Sequence, residues 1–307
     1  MSSTNMSTNA STDPSIDPSA AAPNPAAQAD QKPSDQSPPG VSSGRSWRPD
    51  LRGRPELWLV PAVFVVVMLA WEFGVKLFGV KEFVLPPPSR ILEQLRVQLE
   101  SDLFWRHVWV TTEEAMIGFV IGVLAAMVLG TAISQLSLVE KTLMPYIVAF
   151  QTVPKVALAP LFVVWFGFGL TSKIVMAAVI SFFPMLINVI EGLRSADADR
   201  IQMLKVFGAG RWQVFRKVQM PSAMPFIFAG IDIGIVFSIL GAVVGEFIGA
   251  QEGLGYLLLQ TNYNFDIPGM FAVLVVLSVM GLVAHAVVRL IQRRVTFWAE
   301  QSRVIGA

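Results

Sequence analysis

The sequence predicts an all-α polytopic membrane protein with six transmembrane helices, and three observations carry that prediction. Hydrophobic residues make up 53% of the 307 positions and charged residues only 15%. Apolar segments of about 20 residues recur, which is the length needed to cross a hydrocarbon core about 30 Å thick. Within them small residues repeat at four-residue spacing, as in helices that pack closely in lipid. The net charge of +1 says little about partners, because in a membrane protein the placement of positive residues matters more than their sum. The absence of cysteine removes disulfides, thiolate metal sites and cysteine nucleophiles from consideration.

Residues 1–44 are mostly Ser, Ala, Pro, Asn, Thr and Asp, so they bury too little apolar surface to offset their ordering entropy. The expectation is a disordered cytoplasmic tail over 1–53, without the basic start and apolar run of a signal peptide. The first span is 57–80, and Glu72 and Lys76, four apart near its far end, read as an intrahelical pair. Pro86, Pro87 and Pro88 then break the chain. From Ser89 to Asp102 apolar Ile91, Leu92, Leu95 and Leu99 alternate with charges at helical spacing, predicting an amphipathic helix on the outer surface within an outer segment at 81–108.

The transmembrane core is expected at 109–294. Its second span is 114–133, where Gly118 and Gly122 offer a close-approach face. The third, 144–166, carries Pro145, Pro154 and Pro160; prolines are tolerated at membrane depth only where other groups satisfy the freed carbonyls, so an irregular helix bordering a cavity is predicted. Lys173 separates it from the fourth span, 174–190, which contains Pro184 and ends near Asn188 and Glu191. The fifth, 226–248, has Gly230, Gly234, Ser238 and Ala242 on one face and Gly241, Gly245 and Gly249 on another, a pattern built for tight packing. The sixth is 270–290, followed by a cytoplasmic tail at 295–307.

Between the fourth and fifth spans, 202–221 is the one long polar stretch between strongly apolar ones. Asp197 and Asp199 supply helix-start chemistry, Gly208 and Gly210 punctuate the middle, and Pro221 is expected to stop the second of two short helices around a glycine turn. Arg194, Arg200, Lys205, Arg211, Arg216 and Lys217 cluster in this 191–222 segment. With Arg45, Arg48, Arg52, Arg54, Lys141, Arg289, Arg293, Arg294 and Arg303 they place 15 cations on one side of the six spans. The other side has five, Lys81, Arg90, Arg96, Arg106 and Lys173. That three-to-one asymmetry predicts both termini in the cytoplasm.

The stretch resembles the cytoplasmic coupling loop of permease subunits of binding-protein-dependent ABC importers. That loop reads Glu-Ala-Ala, three residues, Gly, nine residues, Ile-x-Leu-Pro; here it is Gln202-Met203-Leu204, then Gly208, then Val218-Gln219-Met220-Pro221. The glycine, the proline and both spacings match, while the opening Glu-Ala-Ala is replaced. The segment from Gln151 to Gly167 is similar to the Pro-x-x-Ala-Leu-x-Pro-Leu-x-x-x-Trp-Phe-Gly motif of the nitrate, sulfonate and taurine branch, as is Gly245-Glu246-Phe247-Ile248 with Gly253-Leu254-Gly255-Tyr256.

The resemblance implies the type I importer fold in a bacterial inner membrane. It also implies a homodimer of this chain, two ATP-binding subunits and an external solute-binding protein, moving a nitrate-, sulfonate- or taurine-like solute or a related organic compound. It implies ATPase coupling through Gln202, Met203, Leu204, Phe207, Gly208, Gly210, Arg211, Trp212 and Pro221, with Phe207 and Trp212 as apolar anchors or else packed on the membrane surface or back onto the loop itself. No G-x-x-x-x-G-K-[ST] phosphate loop occurs, so energy is expected from another chain, and no cofactor or metal is expected.

Ionisable groups within spans cost about 2.5–3.5 kcal/mol at the bilayer centre, so each needs a partner, a wet cavity or an interface. Lys155 either faces a cavity, where it would attract an anion, or snorkels to the interface. Asp232 either pairs with a coupling-loop cation or faces the solute path, Glu246 is a gate or a structural hydrogen-bonding group, and His285 with Arg289 points toward headgroups. Lys155, Asn188, Asp232 and Glu246 are the candidate path residues. A lone secondary transporter would want buried charge relays and inverted repeats; a membrane enzyme lacks a nucleophile-and-base set, with only His107 and His285 as histidines.

Overall fold

The computed structural model describes residues 56–297. The expected N-terminal tail with its four arginines, and the C-terminal tail beyond Phe297 with Arg303, lie outside the described residues. Among the described residues the chain forms α-helices and no strand. They are α1 (Glu56–Leu77), α2 (Pro88–Leu99), α3 (Asp102–Gln135), α4 (Ser137–Thr152), α5 (Ala159–Phe166), α6 (Leu170–Arg194), α7 (Ala198–Val206), α8 (Arg211–Val214), α9 (Met220–Glu246), α10 (Leu254–Tyr263) and α11 (Ile267–Val295).

The centre of the bundle is α6, packed between α3 and α9. Buried residues occupy 50% of its apolar window and 61% of that of α9, against 6% for α1, so α1 is peripheral. Small residues set these contacts. A Cβ built at Gly118 would lie 2.5 Å from Ala177 Cβ, and one at Gly241 would lie 2.6 Å from Ala177 Cα, so Ala177 of α6 is gripped from both sides. Below it Ala126, Ile133, Met185, Leu186, Val189 and Ile190 close the core. The periodic glycines of the sequence thus become the α3–α6–α9 seam.

Two ends of the bundle follow from the contacts. At one end the Gln135 amide of α3 bonds Gln219, and Arg194 of α6 reaches Glu140 at 2.6 Å. At the other, Thr111 of α3 bonds Glu246 of α9, while Gly245 backs onto Lys173 of α6. Since α3 and α6 both run from the second end to the first, the chain from Ser137 to Phe166 must return across the full thickness. It does so as a broken span: α4 and the segment Lys155–Phe166 meet at 87°, with a 3-10 turn at Lys155–Leu158. Pro154 and Pro160, which lack N–H groups, lie on either side of that turn. Five long helices and this bent pair make the six crossings.

Helix bounds differ from expectation where no breaker was present. No glycine or proline separates Asp102 from Glu113, and α3 runs unbroken for 34 residues, taking in the end of the predicted outer segment. The amphipathic α2 lies against α11, with Ile91 buried and Gln98 Nε2 donating to Gly269 O. Glu72 bonds both Lys76, at 2.5 Å, and the N–H and hydroxyl of Ser89, so the intrahelical pair also anchors the proline turn.

Candidate functional site

The α7–α8 hairpin is held by its own caps. The Asp197 carboxylate accepts from the Asp199 N–H at 2.9 Å, and Gly210 N–H donates to the Gln213 side chain at 3.0 Å. Between them Gly208 takes φ +79°, in the left-handed region that favours glycine, and closes α7 through its N–H to Lys205 O. No residue of α7 is buried. Val206 is 85% exposed, Phe207 78%, Trp212 69% and Met203 55%, so a polar hairpin carries large apolar side chains left uncovered by the described residues. Gln202, Gly210 and Arg211 are exposed beside it, Leu204 is half-buried, and Trp212 stacks on Phe215 at 5.5 Å.

Pro221 does not stop the helix, contrary to expectation. A π-helical turn at Phe215–Gln219 joins α8 to α9, and Pro221 sits in the first turn of α9, where an N–H is dispensable. The second arm of the hairpin, α8, is therefore continuous with a central membrane helix.

The charged groups of the spans separate into satisfied and unsatisfied ones. Asp232 of α9 faces His285 of α11 in an ion-pair contact rather than pairing with a coupling-loop cation, and His285 accordingly turns inward instead of toward headgroups. Helix rotation explains the difference: the face of α9 carrying Asp232 meets α11, not the hairpin. We expect His285→Leu alone to lower detergent stability by about 1–3 kcal/mol through the orphaned carboxylate. Asp232→Leu combined with His285→Leu should recover most of that loss in a thermal melt. Asn188 Nδ2 donates to Pro184 O at 2.9 Å within its own helix.

Glu246 is 1% exposed and tied on all sides. Thr111 Oγ1 donates to it at 2.6 Å and the Gly255 N–H donates to its other oxygen. Leu254 N–H donates to Thr111, and Gly253 N–H to His107 Nδ1 at 3.0 Å. Glu114 lies against Glu246, and Lys173, 2% exposed and packed on Gly245, donates to Phe168 O and Gly169 O. Sequence reasoning treated Lys173 as a loop residue and passed over His107, Thr111 and Glu114; their only shared signal is polar character at positions otherwise filled by apolar residues.

Lys155 differs. It sits at the break of the bent span, its Nζ donates to Gln151 O at 3.2 Å and lies 4.8 Å from the centre of the Phe183 ring, and no carboxylate pairs with it among the described residues. Two cavities, of about 640 and 510 Å³, adjoin it and share Val153, Lys155 and Phe183 in their linings. The irregular helix bordering a cavity is thus observed, with Lys155 in the lining of both cavities.

Residues 118–297 match the family described as the binding-protein-dependent transport system inner membrane component. The chain belongs to this family. The permease is 36% identical over 239 residues to the riboflavin transport system permease protein of Chloroflexus aurantiacus, across 78% of this chain and 89% of the relative. It is 32% identical over 238 residues to the formylaminopyrimidine transport permease protein of Halalkalibacterium halodurans, across 78% and 94%. With the putative aliphatic sulfonates transport permease protein of Bacillus subtilis the identity is 31% over 240 residues, across 78% and 86%. A chain of the methionine ABC transporter MetNI in an inward-facing conformation superposes with a TM-score of 0.57 at 24% identity, over 63% of the permease and 96% of that chain, a likeness of fold. The family resemblance read from the coupling stretch and the proline-rich segment is borne out, and the permease is a multi-pass inner-membrane component of ABC import.

Proposed function

We propose that the permease couples to a separate ATP-binding subunit through the α7–α8 hairpin, with Phe207 and Trp212 as the apolar anchors and Gln202, Met203, Leu204, Gly208, Gly210 and Arg211 around them. The observation that carries this is the exposed apolar surface on a capped, polar hairpin that runs directly into α9. Pro221 serves the junction and not the contact. The hairpin end is cytoplasmic: Arg194, Arg200, Lys205, Arg211, Arg216 and Lys217 gather there with Arg289, Arg293 and Arg294 of α11. Two copies of the chain and two ATPase subunits form the working transporter, and closure of the ATPase pair rocks α9, with α3 and α6 packed on it, as one body.

The solute is a small anionic or heteroatom-bearing compound delivered by an external binding protein. The names of the relatives, which span riboflavin, formylaminopyrimidine and aliphatic sulfonates, support that breadth. Of the four candidate path residues, Lys155 is the one we assign to the path. Asn188, Asp232 and Glu246 are engaged within the protein and act structurally.

The test is co-purification in mild detergent from the native membrane. The wild type should bring an ATPase chain with it. A Phe207→Glu/Trp212→Glu variant should lose at least 30-fold in ATPase affinity, since anchors of this kind carry about 2 kcal/mol or more each, while melting at the wild-type temperature. A wild type that purifies alone and moves solute in vesicles without ATP would replace this reading with a secondary transporter.

A further inference from the structure

The larger of the two cavities is walled by α3, the end of α4, α5 and α6. Every side chain lining it is apolar or aromatic except Lys155, and Phe150, Phe162, Trp165, Phe182 and Phe183 supply the rings. The smaller adds polar groups, Gln151 and Thr152, on the far side of the same lysine. An ammonium has three donors and Lys155 commits one of them, to Gln151 O. Other cations near the core are engaged: Lys173 donates to Phe168 O and Gly169 O, Arg194 meets Glu140, and His285 meets Asp232. An apolar chamber of about 640 Å³, with one cation at its edge that no carboxylate pairs among the described residues, lies within the size range of small-molecule sites.

We propose that this cavity pair receives a planar aromatic acid, its ring among Phe162, Trp165 and Phe182 and its carboxylate or sulfonate on Lys155 at the junction with the polar chamber. The assignment rests on the reading of the chain as a solute-translocating subunit. Chemistry selects this class over smaller anions. Nitrate or taurine would surrender hydration at one cation and leave the ring-lined volume without a partner, because a buried charge needs several compensating groups. A ring acid divides as the site does, with a face for the aromatic walls and a charge for the lysine. The break at Pro154 puts that cation at the join between two half-helices, the arrangement that opens a binding site inside a membrane.

Calorimetric titration of the intact complex in nanodiscs of zwitterionic lipid, using 1-naphthoate as the probe, tests the assignment. Saturable binding of 1-naphthoate is expected, with taurine and octanoate at least tenfold weaker. Lys155→Met should weaken 1-naphthoate at least tenfold and leave neutral 1-naphthalenemethanol within twofold of wild type. Phe182→Leu should weaken both ligands. The unchanged neutral ligand separates loss of charge from loss of folding. Octanoate binding as tightly as 1-naphthoate would overturn the assignment in favour of a lipid-chain seat. Absence of saturable binding would overturn it too, and a Trp165→Cys thiol, unique in this cysteine-free chain, that crosslinks to a second copy would show the cavity filled by that copy. Failure of the coupling reading is scored separately, by the absence of an ATPase chain from the purified complex; 1-naphthoate bound by a permease purified alone leaves the cavity assignment intact.

Discussion

A Gly241→Leu variant is expected to yield no monodisperse protein in detergent, and Gly241→Ala to lower the stability of the membrane core by about 1–3 kcal/mol, the usual range for overpacking. A new Cβ there would stand 2.6 Å from Ala177 Cα, 3.0 Å from Met176 O and 3.1 Å from Ala177 N, all backbone atoms of α6 that cannot swing aside. To make room, α9 must move off α6. But α6 is pinned on its other side, where Gly118 and Gly122 bring α3 against Ala177 and Ser181. In lipid no hydrophobic gain compensates a widened seam, because helix association there depends on close packing. Gly281 of α11 is the control: nothing lies within 4 Å of a Cβ built on it, so Gly281→Ala should melt at or slightly above wild type. Equal melting of Gly241→Ala and Gly281→Ala would refute the seam.

Much of this architecture was legible because it depends on local spacing. The repeats Gly118 with Gly122 and Gly230 through Ala242 declare helix faces without reference to any other helix, and the structure joins those faces. Pro154 and Pro160 declare a break wherever the rest of the chain lies. Gly208 and Asp197 mark a turn and a cap by properties of single residues. What escaped is what depends on helix phase. Asp232 and His285 are 53 positions apart, and whether α9 shows Asp232 to the hairpin or to α11 is decided by rotation about an axis that the sequence does not state. Lys173 looked like a loop lysine because it comes just after a glycine-rich break, yet it lies in the first turn of α6, buried against Gly245 of α9. Pro221 misled for a different reason. A π turn ahead of it absorbs the missing hydrogen bond, and no residue type signals such a turn.

Placed together, the two ends of the bundle divide the mechanical labour. At the cytoplasmic end of the proposed topology the hairpin is exposed and joined to α9 by a continuous helix. At the opposite end α9 is tied to α3, α6 and the start of α10 by a buried polar cluster. In the proposed coupling, a push on the hairpin is carried along α9 to this cluster.

Removing the joint should have a large and localised effect. Glu246→Ala deletes the acceptor for Thr111 Oγ1 and the Gly255 N–H. Breaking a buried charged cluster from one side costs about 3–5 kcal/mol. At about 1.4 kcal/mol per tenfold, amide protection at Gly253–Tyr256 should fall by a factor of 100 or more in hydrogen exchange. Gly253→Ala should act the same way, since Gly253 has φ +110° and a Cβ there would overlap the Glu246 carboxylate. Arg106→Ala is the informative control. It removes an exposed ion pair with Glu252 next to the same loop, 2.5 Å at closest, and exposed pairs contribute about 0–1 kcal/mol. If Glu246→Ala leaves amide protection no lower than Arg106→Ala does, the loop is held by its apolar contacts through Leu254, Phe104 and Val273 and the polar cluster is not the joint. A 100-fold or greater gap between the two variants, with the protection of α6 and α9 little changed, identifies Glu246 as the residue that fastens this end of α9 to the rest of the bundle.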